Sequence, residues 1–508
     1  MKPNLNRRDF LKLAGLLPLS AAASRLAPAL RRPLLQNPTS KNVIVVVFDA
    51  FSAYDVSVYG FQRATTPNLA RLSKRALVYH NHFAGGCFTS PGTASLLTGV
   101  LPWTHRALLA NSEVAEPYIT RNIFEAFEKY YRIAYTHNGW AYTLLRQFRQ
   151  SIDELIAREK LLMGSLDAVI GQVLPNDADI ASVSWIRDMR IQESGYAYSL
   201  LLSRLLQALE EKRTRDFKPL FPRGLPTTGS DNGFLLETAV NTIAGRLLEI
   251  PQPFLGYFHF LPPHYPYRTS REFYNAFQGD GFKSIEKPTD LLVKNLSKNL
   301  PAKRTEYDEF ILYCDDEFGR LYQQLESSSL LENSWLVLTS DHGEMFERGI
   351  SGHSTDTLYQ PLVRVPLMIF EPGRKTGMDI YDYTSGVDVL PTLAYVTGQK
   401  APNWSEGTVL PPFAPAAMPP RNVYIPQARE NEKYGPLTKA SIMLVREDYK
   451  LHYYFGYPQV PSAGLVRLFN IKSDPEELSD LAQARAGVAG ELLHELKTRL
   501  AEVDQPYM

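Results

Sequence analysis

Stretches in which almost every residue is apolar recur along the chain. They occupy residues 43–48, 133–135, 254–260, 335–338 and 365–370. Apolar residues at nearly every position, rather than at alternate positions, are typical of a β-strand buried on both faces. Segments with helical periodicity lie between them, at 68–76, 144–159, 196–212 and 307–325. This alternation predicts an α/β fold with a mainly parallel sheet between helices.

The pattern also divides the chain into parts. Residues 41–400 contain the alternating strands and helices, and about 141–240 is predicted to be a helical insertion that roofs a site. Prolines then mark a stiff connection to a last unit, 401–508: Pro402, Pro411, Pro412, Pro415, Pro419 and Pro420. In that unit 441–455 has strand character and 484–503 has helical periodicity, which predicts a small α+β subdomain with an antiparallel sheet.

The first residues are typical of a targeting signal. Residues 6–12 read Asn-Arg-Arg-Asp-Phe-Leu-Lys, an apolar run follows at 13–23, and alanine-rich cleavage candidates occur at 21–23 and 27–29. This pattern resembles a twin-arginine export signal, so we expect residues 1–29 to be removed and the twin-arginine translocase to be a partner during export. The expected location is the periplasm or the extracellular space.

Composition narrows the function. The 508 residues include 54 Lys+Arg and 54 Asp+Glu, and a neutral chain of this kind argues against a nucleic-acid partner bound through bulk charge. Only two cysteines are present, which excludes a disulfide-dense scaffold. Whether Cys87 and Cys314 pair is left open by the sequence.

Metal-binding side chains follow two of the predicted strands. Asp49 ends the first apolar stretch, and Asp341 and His342 come shortly after 335–338. Ligands of open parallel sheets bind beyond the carboxyl ends of the strands, so these side chains are expected to meet. Two carboxylates and an imidazole make a divalent-metal site, although Asp49 taken alone is also a common helix cap.

A threonine at the start of a short helix supplies a candidate nucleophile. Ser90 is predicted to be the N-cap, Pro91 the first helical residue and Gly99 the C-terminal stop. Thr89 would then lie at the positive end of the helix, where anions bind. A metal-bound threonine hydroxyl there could ionise and attack phosphorus or sulfur; the alternative is an ordinary turn before a helix.

Ordered motifs across residues 41–485 resemble the sulfatase family of the alkaline phosphatase superfamily. They lie at 43–102, 259–267, 313–321, 339–344, 352–353, 364–367, 387–392 and 468–481. The resemblance implies an alkaline-phosphatase-like core and a metal-dependent hydrolase acting on ester bonds. The stretch 259–267, with His264, resembles the family's substrate-contacting motif, and His353 also lies in a matching motif. Because histidine titrates near neutral pH, His264 and His353 are candidates to hold the anion or protonate the leaving oxygen; the alternative for each is a loop histidine bonded to a carbonyl. His259, by contrast, is interpreted as a packed strand residue.

Departures from the family pattern point to a particular branch. Thr89 occupies the position of the cysteine that sulfatases convert to formylglycine, Thr93 replaces the arginine of that motif, and Ala50 replaces a second aspartate. Cys87 does not fit the conversion pattern. The chain thus resembles the threonine-nucleophile enzymes: phosphodiesterases, phosphoethanolamine transferases and phosphoglycerol transferases. The mixed ligand set Asp49, Thr89, Asp341 and His342 favours zinc or manganese, with calcium and magnesium as alternatives.

The expected activity is cleavage of a phosphate ester, or of a sulfate ester, through a covalent intermediate on Thr89. Expected substrates are small phosphate or sulfate esters or the head group of a lipid or glycan. One alternative is a sulfuric ester hydrolase that works without formylglycine. Another is a catalytically silent binding protein with the sulfatase fold, since the cysteine, the arginine and the second aspartate are all absent.

Overall fold

The computed structural model describes residues 40–163, 212, 215, 217–228, 233–293, 295–414 and 421–508. The strands, in chain order, are β1 Asn42–Asp49, β2 Leu77–Phe83, β3 Tyr131–Thr136, β4 Glu154–Leu155, β5 Leu162–Met163, β6 Gly233–Phe234, β7 Phe254–Pro263, β8 Ser334–Thr339, β9 Met345–Glu347, β10 Ile350–Gly352, β11 Leu367–Phe370, β12 Met378–Ser385, β13 Val423–Gln427, β14 Ala440–Arg446, β15 Tyr449–Phe455 and β16 Leu465–Asn470.

The α-helices that the structure describes are α1 Pro67–Leu72, α2 Thr89–Thr98, α3 Pro102–His105, α4 Ile123–Ala126, α5 Gly139–Gln147, α6 Leu236–Leu247, α7 Leu300–Ser327, α8 Gln360–Val363, α9 Val389–Val396 and α10 Ala486–Asp504. Among the described residues, none of these helices is both long and apolar enough to cross a bilayer.

The main sheet has eight strands in the order β12-β2-β11-β8-β1-β7-β3-β4. Strand β1 pairs in parallel with β7 and β8, and β3 pairs in parallel with β7 and β4. Strand β11 is antiparallel to both of its neighbours, β2 and β8. The prediction of a mainly parallel sheet is therefore confirmed, and the centre of the sheet brings the ends of β8, β1, β7 and β3 side by side.

Two hydrophobic cores enclose the sheet, and β1 contributes to both. Ile44, Val46 and Phe48 pack in one core with apolar residues of α6 and α7, whereas Val43, Val45 and Val47 pack in the other with residues of α2, α5 and α9. Alternate residues of a strand point to opposite faces, so a strand covered on both sides is apolar at every position. This explains the unbroken apolar pattern of β1.

One predicted helix is largely wrong. Periodicity predicts a helix at 144–159, but α5 spans Gly139–Gln147, and the following residues form a 3₁₀ turn and the edge strand β4. The Oδ1 of Asn138 accepts the N–H groups of Trp140 and Ala141 at 2.7 and 3.3 Å, which starts the helix earlier. Pairing of β4 with β3 then decides the conformation of the rest.

Several other predictions lie outside the described residues. They are the signal at 1–29, the helix at 196–212 apart from residue 212, most of the insertion at 141–240, and Pro415, Pro419 and Pro420. The helix predicted at 307–325 is confirmed within the longer α7, and the strand predicted at 365–370 is confirmed from Leu367 onward.

The C-terminal residues form a separate antiparallel sheet, in the order β13-β14-β15-β16, with α10 against it. The segment 441–455, predicted to have strand character, forms the two antiparallel strands β14 and β15, because the chain turns at Glu447, whose φ is 51°. The helix predicted at 484–503 is confirmed as α10. Cys87 and Cys314 are both buried and unbridged.

Candidate metal and catalytic site

Asp49 lies at the carboxyl end of β1, in the middle of the main sheet, and is fully buried. The pairing of β1 with β7 shifts register between Phe48 and Asp49, and the next residue, Ala50, has a left-handed backbone with φ 60°. That conformation is unfavourable for a residue with a Cβ atom. The hydroxyl of Tyr307 donates to the carbonyl of Ala50 at 2.6 Å and holds this turn in place.

Asp341 and His342 follow β8, the neighbour of β1, and both are buried. Gly343 donates its N–H to the carbonyl of Leu362 at 2.7 Å, and a Cβ atom on Gly343 would lie 2.1 Å from the carbonyl oxygen of Pro361. Only glycine fits this backbone contact. In the neutral ring of His342, Nδ1–H donates to the carbonyl of Gly343 at 2.8 Å, so Nε2 presents its lone pair.

The structure brings these predicted ligands together. Nε2 of His342 is 3.3 Å from Oδ1 of Asp49 and 3.7 Å from Oδ2 of Asp341. The backbone N–H of Ala50 donates to Oδ1 of Asp341 at 3.3 Å, which joins the loops after β1 and β8. Two carboxylates and one imidazole nitrogen therefore face one another at the sheet edge.

The helix that carries Thr89 begins earlier than predicted. Helix α2 starts at Thr89 and its N-cap is Phe88, with φ −160° and ψ 172°, so the prediction of Ser90 as N-cap was wrong. The first turn is closed by the N–H of Gly92, which donates to the carbonyl of Phe88 at 3.0 Å. Gly99 ends the helix with φ 72°, as predicted.

The early helix start places Thr89 against the ligand cluster. Oγ1 of Thr89 lies 3.5 Å from Nε2 of His342 and accepts from Nδ2 of Asn138 at 3.4 Å. The same amide of Asn138 donates to Oδ2 of Asp49. Asn138 thus links the predicted nucleophile to the carboxylate of β1.

The first turn of α2 packs directly on the loop after β8. A Cβ atom on Gly92 would lie 2.2 Å from the carbonyl oxygen of Asp341, so only a glycine in this helix allows the contact. One residue on, Thr93 donates its hydroxyl to Oδ2 of Asp341 at 3.3 Å. The helix and the loop are therefore held at a fixed separation.

His259, which we assigned to the packing of β7, is also part of the cluster. Its side chain is fully buried, and Nε2 lies 3.2 Å from Oδ2 of Asp49 and 3.8 Å from Oδ2 of Asp341. Ligand atoms of Asp49, His259 and Asp341 lie within 4.8 Å of one another. The site cluster, as we call it below, consists of Asp49, His259, Asp341 and His342.

The buried groups of the site cluster shift one another's pKa values. Burial and the charge of Asp49 raise the pKa of Asp341. Burial would raise the pKa of Asp49 too, but the imidazoles of His264, His259 and His342 hold it well below its usual range. Burial would lower the pKa of His342, yet the carboxylates of Asp341 and Asp49 raise it to about 9.

These groups fit a divalent metal ion. Oδ1 of Asp49 is buried and has no hydrogen-bond partner in the described part of the chain, and an unpaired buried carboxylate oxygen is costly. Spacings of 3.2 to 3.8 Å between nitrogen and oxygen atoms suit ligands of one ion with bonds of about 2.0–2.2 Å. The residues that would hold the ion are Asp49, Thr89, His259, Asp341 and His342.

His264 and His353, the two histidines predicted to contact the substrate, lie beside the site cluster. The ring centroids of His353 and His342 are 4.4 Å apart, and those of His353 and His264 are 4.8 Å apart. Nδ1 of His264 faces the carbonyl oxygen of Tyr265 at 2.6 Å, and Nδ1 of His353 faces the Glu344 carboxylate at 3.1 Å. Each ring is therefore held through Nδ1, and its Nε2 is left for another partner.

Burial lowers the pKa of both histidines. For His264 the charge of Asp49 opposes this effect, and for His353 the charge of His342 adds to it and brings the pKa well below its usual range. Burial raises the pKa of Glu344 to about 7. The imidazole of His353 is thus neutral, and it faces the carboxyl group of Glu344, whose pKa is near neutrality.

The family model for sulfatases, described as Sulfatase, matches residues 41–399. This protein belongs to the sulfatase family. Its membership makes it an ester hydrolase of the type that cleaves sulfate or phosphate esters.

Proteins similar to this sulfatase-family chain include some named for phosphatase or phosphonate chemistry and some named as sulfatases. It is 22% identical to the multifunctional alkaline phosphatase superfamily protein PehA of Trinickia caryophylli, over 87% of this chain and 91% of that protein. It is 23% identical to the ulvan-active sulfatase of Formosa agariphila, over 73% of this chain and 64% of that protein. The phosphonate monoester hydrolase of Agrobacterium radiobacter has the same fold, with a TM-score of 0.67 at 18% identity, covering 91% and 96% of the two chains.

Sequence reasoning missed three residues of this sulfatase-family site. Asn138 and Glu344 each follow a predicted strand closely, which is the position that identified Asp49 and Asp341. A search of all strand ends for polar side chains would have found them. His259 lies inside the apolar stretch 254–260, and its signal was an imidazole in a strand buried on both faces.

Proposed function

We propose that this protein is a metal-dependent hydrolase or transferase that cleaves phosphate esters through a covalent intermediate on Thr89. The observation that carries the proposal is the position of Oγ1 of Thr89: buried, at the first residue of α2, 3.5 Å from Nε2 of His342 and 3.4 Å from Nδ2 of Asn138. A hydroxyl placed at a helix N-terminus beside a metal-binding cluster has the setting of an activated nucleophile.

A divalent ion bound by the site cluster and Thr89 would lower the pKa of the threonine hydroxyl and neutralise charge on the substrate. Carboxylates together with imidazoles favour zinc or manganese, with calcium and magnesium as alternatives. Asn138 donates to both Asp49 and Thr89, which fixes the side chain of the nucleophile relative to the cluster.

The reaction we propose has two displacements. Oγ1 of Thr89 releases its proton to solvent and forms a bond to phosphorus while the bond from phosphorus to the leaving oxygen breaks; the leaving oxygen takes a proton from a histidine, and a phosphothreonine ester remains. Water, or an acceptor hydroxyl in a transferase, then attacks the same phosphorus atom, and the proton that it loses goes to the oxygen of Thr89 as Thr89 leaves. Each displacement exchanges one P–O bond for another.

The N-terminus of α2 supplies part of the anion site. The backbone N–H groups of Thr89 and Ser90 precede the first helical hydrogen bond, which is donated by Gly92. The Ser90 hydroxyl is buried and has no hydrogen-bond partner within the described ranges. These donors and the helix dipole are suited to the equatorial oxygens of a phosphoryl group.

His264 and His353 are proposed to bind the substrate oxygens and to protonate the leaving oxygen. Both rings present Nε2 beside the site cluster, because their Nδ1 atoms are engaged by the carbonyl of Tyr265 and by Glu344. Glu344, with a pKa of about 7, can return a proton to His353 between turnovers.

Sulfate esters remain a second candidate because relatives of this chain include an enzyme named as an ulvan-active sulfatase. Phosphorus is favoured because Thr89 replaces the cysteine of the formylglycine motif. Among physiological substrates we propose small esters or the head group of a lipid or glycan. A silent binding protein is the remaining alternative, and a folded protein free of metal by elemental analysis would support it.

We further propose that the protein is exported to the periplasm or beyond by the twin-arginine translocase, with residues 1–29 removed. The sequence pattern at 6–29 supports this. Changing Arg7 and Arg8 together to Lys should leave the protein in the cytoplasmic fraction, and unchanged export of that variant would contradict the proposal.

The nucleophile is tested by trapping. The zinc-loaded and manganese-loaded protein would be mixed with a slow aryl phosphate diester, quenched and mapped by mass spectrometry, with phosphate monoesters, phosphonates and sulfates run in parallel. We expect the adduct on Thr89. An adduct confined to Ser90 or Cys87 would contradict the assignment of the nucleophile. Turnover of sulfate esters alone would show that the substrate is a sulfate ester and not a phosphate ester.

A further inference from the structure

A cavity that shares no residue with the site cluster, called the side cavity here, lies among loops of the catalytic domain and the C-terminal subdomain. Its volume is about 270 Å³, close to the lower end of the range of about 300–1,000 Å³ for small-molecule sites. It is lined by residues within 54–62, 282–287 and 475–476, together with Arg304, Glu347 and Arg364. The side cavity is therefore large enough for one ring that carries a small substituent.

The walls of the side cavity are aromatic, and their rings are held in place. The hydroxyl of Tyr59 donates to the carbonyl of Leu367 at 3.2 Å and accepts the N–H of the same residue at 3.0 Å. Tyr54 donates its hydroxyl to a backbone carbonyl of the C-terminal subdomain. Phe61 and Phe282 meet edge to face, with ring centroids 5.2 Å apart. Anchored aromatic walls form a ready surface for a flat ring.

The carboxylates that line the side cavity already have cationic partners. Nζ of Lys287 lies 2.7 Å from an oxygen of Glu347 and 2.6 Å from an oxygen of Glu476. Nε of Arg348 lies 3.5 Å from the other oxygen of Glu347. Each of the two glutamates is therefore paired with a cation, and so is poorly suited to bind a cationic ligand.

Arg364 differs from the other arginine of the side cavity, Arg304, which pairs with the buried carboxylate of Asp55 at 2.6 Å. Nε of Arg364 donates to the carbonyl of His80 at 2.8 Å, and its Cζ lies 5.8 Å from the ring centroid of Tyr54. Within the described part of the chain, no carboxylate forms an ion pair with its guanidinium. Burial lowers the pKa of Arg364. A half-buried guanidinium without a carboxylate is suited to an anion that enters the cavity.

We propose that the side cavity is a binding site for a small aromatic anion, a flat ring that carries a carboxylate, phosphate or sulfonate group. The terminal nitrogens of Arg364 form a planar fork that matches two oxygens of such a group, and the ring lies against Tyr54 and Tyr59. Lys283, which lines the cavity and is exposed, adds a second positive charge. The site goes beyond the proposed function and does not rest on it, because no residue of the site cluster takes part.

Benzenesulfonate is a suitable probe, because it combines a ring with a fixed negative charge and has no ester bond to cleave. In calorimetry on the zinc-loaded full-length protein, Arg364→Gln should raise its Kd about tenfold or more, as expected for loss of a charge-assisted bond. Benzyl alcohol, with the ring alone, and inorganic sulfate, with the charge alone, should each bind at least about tenfold more weakly. Either comparator binding as tightly as benzenesulfonate would overturn the proposal.

A second variant avoids the hydrogen bond that Arg364 makes to the backbone. Lys283→Glu reverses the charge of an exposed side chain, so we expect it to fold normally and to raise the Kd for benzenesulfonate about three- to tenfold. Lys298→Glu is the matched control, because Lys298 is equally an exposed lysine and does not line the side cavity. Equal Kd values in these two variants would contradict the proposed site.

Binding of the probe at the site cluster is distinguished by His353→Gln. This change lies outside the side cavity, so the Kd for benzenesulfonate should equal that of the wild type. A Kd that rises in His353→Gln and stays constant in Arg364→Gln would place the probe beside the site cluster and overturn the proposal. Because the measurement needs no turnover, its outcome is separate from that of the adduct on Thr89.

Discussion

Two buried ionic clusters in this protein are built from similar residues, but they differ in how their carboxylate charges are compensated. The site cluster contains Asp49, His259, Asp341 and His342. The cluster under the C-terminal sheet, called the C-terminal cluster here, contains Lys450, His452 and Glu477, all at most 2% exposed. Nζ of Lys450 lies 2.8 Å from Oε1 of Glu477, and Nε2 of His452 lies 3.4 Å from the same oxygen.

The C-terminal cluster is compensated within the protein. Burial would raise the pKa of Glu477, but Lys450 and His452 lower it to about 2, and the second carboxylate oxygen accepts the N–H of Gln360 at 2.7 Å. In the site cluster the two carboxylates, Asp49 and Asp341, lie against imidazoles, and within the described part of the chain neither forms an ion pair with a lysine or an arginine. A cluster that balances its own charge stabilises the fold; one that does not is suited to bind an ion.

The largest effect is expected from Thr89→Ala. Loss of the nucleophile should lower kcat about 10⁴-fold or more, as when one member of a catalytic group is removed. Zinc should still bind, because the site cluster is intact. Steady-state rates with an aryl phosphate ester measure the loss, and Thr98→Ala at the other end of α2 serves as the control, since the Thr98 hydroxyl donates to the Ala94 carbonyl within the same helix. If the Thr89→Ala enzyme were as active as that control, the proposed mechanism would be contradicted.

Asp341→Asn should separate the two clusters most clearly. Zinc affinity should fall by about two orders of magnitude or more, since a charged ligand is lost. The metal-free variant should be at least as resistant to urea as the metal-free wild type, because burial and the charge of Asp49 raise the pKa of Asp341 and so disfavour its ionised form in the folded protein. Strong destabilisation of the metal-free variant would mean that Asp341 belongs to a structural ion network instead.

Strand ends were the part of this site that the sequence could predict. Asp49, Asp341 and His342 follow apolar stretches, and parallel strands bring their carboxyl ends to one edge, so no long-range information was needed. The contacts of the packed strand residue His259 were not predicted, because its partners, Asp49 and Asp341, come from other strands and period-2 patterning says nothing about which strands are neighbours.

The failures in secondary structure have the same origin. The segment 144–159 has helical periodicity, yet Glu154–Leu155 pairs with β3 because the sheet edge offers hydrogen bonds. The start of α2 was misplaced because Ser90 is a good N-cap in isolation, whereas packing of Gly92 on Asp341 decides where the helix begins. In both cases a tertiary contact overrides a local preference.

His353→Gln should lower kcat about 10²- to 10³-fold, the usual contribution of a general acid or base. Metal content should be unchanged, because the ring of His353 packs on that of His342, with centroids 4.4 Å apart, and its Nδ1 faces Glu344 instead of a residue of the site cluster. The control is His80→Gln, at a partly exposed histidine on β2 paired with Asp379. A loss of bound zinc in parallel with activity would instead make His353 a ligand.

Glu477→Gln should lower the free energy of unfolding and leave the catalytic activity unchanged. Removing one partner of a buried ion pair leaves Lys450 uncompensated and typically costs about 3–5 kcal/mol of unfolding free energy. Activity per folded molecule should stay near that of the wild type. Urea unfolding measures the difference, with Glu491→Gln as the control, because its exposed pair with Arg446 is worth at most about 1 kcal/mol. Equal losses in the two variants would contradict the contrast between a buried and an exposed pair.

The smallest predicted effect is a pH dependence of the difference in unfolding free energy between the wild type and Glu477→Gln. The pKa of Glu477 is about 2 in the folded protein against 4.5 ordinarily, so between these values the unfolded chain binds more protons and stability falls as pH falls. The slope is at most about 1.4 kcal/mol per pH unit. Because Gln does not titrate, the gap in unfolding free energy between wild type and Glu477→Gln should be full above pH 5 and should narrow from pH 4.5 toward pH 2. A gap that stays constant across this range would show that Glu477 acts through packing and not through its charge.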